Sequence, residues 1–456
     1  MPVWLTNNAW RWLIVGALIS LLALAVACGD DDDDDDDTGT PAGTQTDAPD
    51  GTDEPADGEV DAMLAPFFPQ SGRVILREAI EQGLIDEFLF TDGTKSQSMF
   101  DEIGVENFEG MSGTQPGAPN EEFTAAFSAT GEDPDAPYAK EGYDSTFLLA
   151  LAAASANSTD GTAIRDNLRF VANPPGERIG IGPDEFARAV GLLEQGEDID
   201  YFGASGPADL DENGDLASGL VATWKIVEGV ITHQQQSEVD LAAAAGVDVP
   251  AGEQVRSDTA PTEALKLGAI ISQTGDLADF GPPILAGAQL AVDHMNEAGG
   301  LFGQDVTLAS ADDATTPEQG QAEAQRLIEV EGVHAIIGAL SSAVTQTIAE
   351  NVASPATIPM ISPASTAAAI TTANDNDFLF RTPIQDAAQA EVLADLAIEL
   401  GYDSVCILYV NTPYGQGLAE GFTTNFQALG GTVPASISVE QEQTTYVSEI
   451  QQCVGG

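Results

Sequence analysis

A chain of 456 residues is long enough for two or three domains, or for one two-lobed unit with tails. Hydrophobic residues make up 43%, ample for a packed core, while aromatics are sparse at 6%. Against 74 acidic side chains stand 14 basic ones, a net charge of −60, which excludes nucleic-acid binding because a binder needs a basic footprint.

The first 28 residues read as a targeting segment. Arg11 gives a weak basic region, Trp12–Ala27 is a continuous apolar run, and the segment ends Leu24-Ala25-Val26-Ala27-Cys28-Gly29. This resembles a bacterial lipoprotein signal, although Ala25 stands where such signals usually carry Leu. The resemblance implies acyl chains on Cys28, a membrane anchor, and an extracytoplasmic location (periplasm or cell surface) for all that follows. The alternative is an uncleaved anchor helix, for which the run is short. Residues 29–59 form an acidic tether: Asp30–Asp37 is unbroken aspartate, followed by Thr, Gly, Pro, Ala and Asp, and such a segment repels itself and builds no core.

From Val60 to about Gly113 the pattern is strand, helix, strand, helix, strand: VDAMLAPF, SGRVILREAIEQG, FLFTDG, KSQSMFDEI and FEGMSG. Helices are expected around Asn120–Ala129, Glu141–Ala156, Ala163–Ala172 and Pro183–Gly196. Ile199–His233 then reads as short strands and a hairpin turning on Asn213-Gly214. Within that turn, Asp209, Asp211, Asn213 and Asp215 imitate the start of a calcium loop, but Leu220 stands at the twelfth position where a bidentate glutamate is required. A plain hairpin is the better reading, and no metal site is expected.

A polar, Ala-rich linker follows at 237–262, and a second β/α series fills 263–456. ALKLGAIIS is a strand, GPPILAGAQLAVDHMNEAG a helix and DVTLASADD a strand; residues 314–333 stay unassigned. HAIIGAL and TIPMIS are buried strands flanking a helix that begins at Ser341 and Ser342, with Ser365 and Thr366 just past the second strand. Hydroxyls and free amides at the carboxyl ends of two strands suit a small anion such as an amino-acid carboxylate, and they suit ordinary helix capping as well. FLFRTP, a helix at Ala387–Leu400, VCILYV, a helix at Tyr414–Leu429, TVPASISV and a helix at Tyr446–Cys453 complete the series. Cys406 and Cys453 read either as a disulfide or as two buried thiols. An enzyme is not expected: His233, His294 and His334 have no metal-ligand spacing, and neither a nucleophile elbow nor a Gly-rich phosphate loop is present.

Read with Gly456 joined to Asp61, the β/α alternation continues unbroken. In that order the chain resembles the type I periplasmic binding proteins, in particular those serving branched-chain amino-acid ABC transporters. ISQTGDLADFG, AGAQLAVDHMNEAGG, IGALSSAVTQ, ISPAST and NTPYGQGLAEGF carry the resemblance in the second block; FPQSGRVILREA, FLFTDG, YDSTFLLALA and DYFGASGPADLDENGD carry it in the first. The fold implied is α/β, with two Rossmann-like lobes joined by a hinge and the family's halves in swapped order. Residues 60–236 correspond to the family's C-terminal half and 263–456 to its N-terminal half, with lobe 1 at about 263–383 and lobe 2 starting at about 384–456. A rearranged gene with no working product is the competing account of the order.

The resemblance also implies a site. Ser342, the backbone of Ala364, and Thr366 would hold a ligand carboxylate; Asp92 would meet its ammonium, where glutamate is common in the family; Tyr414 would lie over it. Phe67 and Phe280 stand where branched-chain binders carry tyrosines, which makes the expected pocket more apolar. Asp92 also reads as a turn residue, Tyr414 as a helix-start packing residue, and Phe67 and Phe280 as core. The function implied is capture of an amino acid or similar small polar solute, without cofactor, for delivery to an ABC permease in the membrane. The alternative is a sensory module reporting to a membrane receptor.

Overall fold

Short apolar runs buried on both faces set the architecture. AMLA, FLF, AIIG and MIS are buried throughout, and VCILYV at every position but Tyr409. Strands hidden on both faces belong to parallel sheets covered by helices. The computed structural model describes residues 60–117 and 120–455. The expected signal, the tether and Cys28 lie outside the described residues.

The first span runs β1 (Ala62–Ala65), α1 (Pro69–Glu81), β2 (Phe88–Phe90), α2 (Gln97–Ile103) and β3 (Ser112–Pro116). It continues through α3 (Glu121–Phe127), α4 (Ala139–Ala156), α5 (Gly161–Ala172), β4 (Glu177–Ile179), α6 (Pro183–Glu194) and β5 (Ile199–Tyr201). A long hairpin of β6 (Ser218–Val227) and β7 (Val230–Asp240) follows, then α7 (Leu241–Ala245). The second span begins β8 (Lys266–Ile270), α8 (Gly281–Glu297), β9 (Thr307–Ala311), α9 (Pro317–Arg326), β10 (Ala335–Gly338) and α10 (Ser342–Ile348). It proceeds through β11 (Met360–Ser362), α11 (Ala368–Thr371), β12 (Leu379–Arg381) and α12 (Asp386–Glu399). It ends with β13 (Val405–Val410), α13 (Pro413–Ala428), β14 (Ser436–Val439) and α14 (Val447–Val454).

Among the described residues these strands make two main sheets. One has the order β12-β11-β10-β8-β9 and is parallel throughout; the other has the order β14-β13-β1-β2-β3-β6-β7, with β6 and β7 antiparallel. Neither lobe is the product of one span. β1 lies between β2 and β13, pairing Ala62 with Val405 and Met63 with Phe88. Conversely, α4 is buried along its whole length, packed on α8, β10 and β11 in the other lobe. Its Lys140, Glu141 and Asp144 are buried with the rest, so the helix sits inside the molecule. The chain passes between lobes after β3, β5, β7 and β12.

Several local outcomes differ from the sequence reading. The main hairpin turns at Glu228 (φ 52°) and Gly229 (φ 78°), the left-handed pair that a two-residue turn demands. Asn213-Gly214 turns only an isolated pairing of Leu210 with Leu216, where Asp211 Oδ1 accepts from the amides of Asn213 at 2.7 Å and Asp215 at 3.0 Å. No metal-holding cluster occurs among the described residues. β3 begins at Ser112 instead of Phe108, because Val105–Phe108 forms a tight helical turn; Glu109 then caps the hairpin tip, accepting from the amides of Glu228 and Gly229 at 2.8 and 3.0 Å. α9 occupies part of the unassigned stretch.

In the expected linker, β7 runs on to Asp240, α7 follows, and the rest lies along the first lobe. Asn167 donates to the Val255 carbonyl at 2.9 Å, and Arg256 donates to the Ala154 carbonyl at 2.8 Å. Cys406 on β13 and Cys453 on α14 form a disulfide across a separation of 47 residues. A loop of that length contributes about 4 kcal/mol in the chain-entropy account.

Where the lobes meet, one ion pair is wholly buried. Arg381, 0% exposed, donates from Nε to Asp215 Oδ1 at 2.6 Å. Its remaining nitrogens donate to the carbonyls of Ser365 and Ala367 and to Thr371 Oγ1. Asp215 Oδ2 accepts from Thr371 and Gln385. This brace fixes the turn after β11 on one side and the start of α12 on the other.

Candidate functional site

β10 and β11 end in two loops that face the same space. Ser341 is the N-cap residue of α10, yet its side chain makes no capping bond. Ser342 Oγ instead accepts from the Ala367 amide at 3.4 Å, so these serines knit the two loops together. Ser362 Oγ, donating to the Ala339 carbonyl at 2.7 Å and accepting from the Ser365 amide at 3.0 Å, holds the second loop. The first amides of α10 have no acceptor within their own helix.

Across from them, β2 ends in a tight turn that carries Asp92. Thr91 and Thr94 close the turn reciprocally. At Gly93 a Cβ would come within 2.5 Å of the Tyr414 hydroxyl, so only glycine lets that ring approach. Tyr414, at the start of α13, donates to Asp92 Oδ1 at 3.0 Å and accepts from the Gly93 amide at 3.1 Å. Tyr138 and Gln389 also donate to Asp92. Tyr138 does so from a left-handed backbone (φ 65°) at the start of α4, a conformation bulky residues seldom hold without support.

Between the two sides is a small cavity, about 20 Å³ for the centres of water-sized spheres, room for about one water. Asp92, Tyr414 and Phe68 wall it from one lobe, and Leu277, Phe280, Ser341, Ser342 and Ala364 from the other. Of the expected site residues, Asp92, Tyr414, Phe280, Ser342 and Ala364 therefore come together. Phe67 and Thr366 are not in the wall. Phe67 packs in the core with Met99 and Phe100, and its neighbour Phe68 takes the cavity side, stacked on Tyr414 with centroids 5.4 Å apart. The Thr366 carbonyl accepts from the Asp386 amide at 2.9 Å at the head of α12.

Sequence reasoning missed Tyr138, Gln389 and Asp386. Asp386 is 3% exposed, and neither carboxyl oxygen has a donor; Gln389 Oε1 and Thr366 Oγ1 are likewise buried without a partner. Burial, and then the nearby Asp92 charge, push the Asp386 carboxyl well above the usual carboxylate range. Burial also pushes Asp92 up, against the hydrogen bonds from Tyr138, Gln389 and Tyr414. Asp92 therefore ends the cavity with a second buried acid, Asp386, near it whose acceptors are unfilled, a setting that favours a bound cation. The only signal in the sequence was the three-residue spacing of Asp386 and Gln389 on one face of α12.

A periplasmic binding protein family model matches residues 264–454, and a receptor family ligand binding region matches 55–228. Together the matches take in both walls of the cavity. Both spans of the chain are thus similar to the type I periplasmic binding proteins. Among relatives of this family, the Leu/Ile/Val-binding protein homolog 3 of Brucella melitensis is 34% identical over 35% of this chain and 42% of its own. The Leu/Ile/Val-binding protein BraC3 of Rhizobium johnstonii is 34% identical over 37% of this chain and 45% of its own. The match thus spans less than half the length of these relatives. A solved ABC transporter substrate-binding protein from Desulfitobacterium hafniense, in complex with Leu, overlaps at 30% identity over 39% of this chain and 51% of that one. Its TM-score is 0.34, and nothing below rests on it.

Proposed function

We propose that the protein captures an amino acid, branched-chain-like in size, between its lobes and delivers it to an ABC permease, outside the cytoplasm and anchored through acylated Cys28. The observation that carries the reading is the polarity of the cavity. Asp92 at one end, with the unpartnered Asp386 near it, suits an ammonium. The first turn of α10 and the Ala364 loop at the other suit a carboxylate, with Ser342 as a hydroxyl donor there. Leu277, Phe280, Phe68 and the Tyr414 ring leave an apolar slot for a side chain. Drawing polar groups from both lobes lets a solute favour closure. The names of the relatives and the disulfide, which belongs in an oxidising compartment, support the same reading.

Titration calorimetry of the full chain against the twenty amino acids tests it. Leucine, isoleucine or valine is expected to bind, and no heat from any amino acid would end the proposal.

We also propose that the chain runs through the family's fold from a different starting point. Support comes from β1 lying beside β13, and from the segment after α7 that ties β7 to β8. A chain rebuilt as 264–456 followed by 60–240 is expected to fold and to form the Cys406–Cys453 disulfide. Aggregation of that chain under conditions where the natural order folds would count against it.

A further inference from the structure

The loop between β8 and α8 faces two ways. Leu277 and Phe280 wall the cavity, whereas Asp276 and Asp279 reach into the opposite lobe. There, α1 starts without a side-chain cap of its own and with no acid in its first turn. Asp276 supplies the missing cap: Oδ1 accepts from the Ser71 amide at 2.7 Å and Oδ2 from Ser71 Oγ at 2.7 Å. Asp279 Oδ2 accepts from Ser96 Oγ at 2.6 Å, Ser98 Oγ at 2.7 Å and Arg73 Nη2 at 2.8 Å, at the starts of α2 and α1. Asp276 is 1% exposed, and the Asp279 and Arg73 side chains are 14% and 13% exposed. Helix starts and Arg73 are favourable partners for carboxylates.

We infer that Asp276 and Asp279 form a clasp between the lobes, setting how tightly and how long a solute is held without touching it. Separating the lobes uncaps α1 and strips Asp279 of its donors together, so the closed form carries contacts the open form lacks. Because Leu277 and Phe280 share the loop, a solute that seats them also seats the acids. The same loop is held to its own lobe by Asp312, which accepts from the amides of Gln273 and Thr274, so it moves with that lobe.

The test is amide hydrogen exchange of the full-length protein, read on the peptide that carries Ser71. In Asp279→Asn the acceptor of the Ser71 amide is untouched, so faster exchange there reports lobe separation and not a lost bond. Exchange is expected to speed up roughly tenfold, the loss of about one cap-strength interaction. Ser98→Ala, which removes a single donor, should give a smaller acceleration and serves if the first variant folds poorly. Unchanged exchange at Ser71 in folded Asp279→Asn or Ser98→Ala would overturn the clasp.

A second arm rests on the solute-capture reading and uses L-leucine as the probe. Affinity should fall roughly tenfold in Asp279→Asn, through faster dissociation and with little change in association. Asp276→Ala and Ser71→Ala should be non-additive in that assay, since Ser71→Ala removes one of the two bonds that Asp276→Ala removes. If wild-type protein fails to bind L-leucine while exchange still accelerates, the clasp stands and the choice of solute falls. Additive losses would overturn the pairing of Asp276 with Ser71.

Discussion

Replacing Asp215 with alanine is expected to cost about 3–5 kcal/mol of folding stability, the usual result of leaving one member of a buried ion pair behind. Arg381 cannot reach water, so its guanidinium would be left without its carboxylate inside the joint between the lobes. Thr371 and Gln385 would lose their acceptor at the same time. Such a loss is a large part of the 5–15 kcal/mol a folded protein typically holds. Urea denaturation followed by fluorescence reads it: the midpoint should fall sharply, and a midpoint within error of wild type would show that the pair bears no such weight. Since Arg381 also holds the carbonyls of Ser365 and Ala367, solute affinity should drop in the same variant while it is still folded.

The second large effect is at the cavity. Asp92→Ala should weaken L-leucine binding by about 30- to 5,000-fold, the 2–5 kcal/mol attached to removing one partner of a buried charge pair. Unchanged affinity would remove Asp92 from the ammonium subsite. A pH series adds a sign. Burial and Asp92 hold the Asp386 carboxyl above its unfolded value, so between those two values the native chain keeps a proton the unfolded chain has released. Stability of the solute-free protein therefore falls as pH rises through that window. A bound ammonium takes over the work of that proton, and affinity should rise with pH across the same window. Affinity that fell with rising pH there would argue that the solute brings no cation to these acids.

Much of the layout was legible because parallel strands hidden on both faces leave continuous apolar runs, and FLF, AIIG and VCILYV could hardly be anything else. The cavity wall was legible in part. Asp92, Ser342 and Ala364 sit at strand ends, where open α/β sheets gather ligand groups, and the resemblance supplied their roles. Phe67 and Phe68 could not be told apart, because where a strand bends into a loop the two-residue alternation stops and either ring can turn inward. Asp386 stands at the head of α12, where an acid ordinarily does no more than meet a helix dipole, and only the fold puts Asp92 near it. Tyr138 comes from a loop with no period at all. α9, PEQGQAEAQR, has too few apolar positions to announce itself; Gly320 lies against Val344 on the neighbouring α10, and packing supports what propensity does not.

The neighbour of Ala62 is Val405, which has a consequence for how the molecule comes into being. As the polypeptide emerges, β1 to β3 appear with an open edge, and the strand that covers that edge comes only with β13, in the second span. α4, buried along its whole length, likewise waits for α8, β10 and β11 of the second span. Pairings this far apart close slowly, and a half-made chain with bare edges is prone to associate with its like. The abundance of negative charge gives such chains a reason to stay apart until the second span arrives.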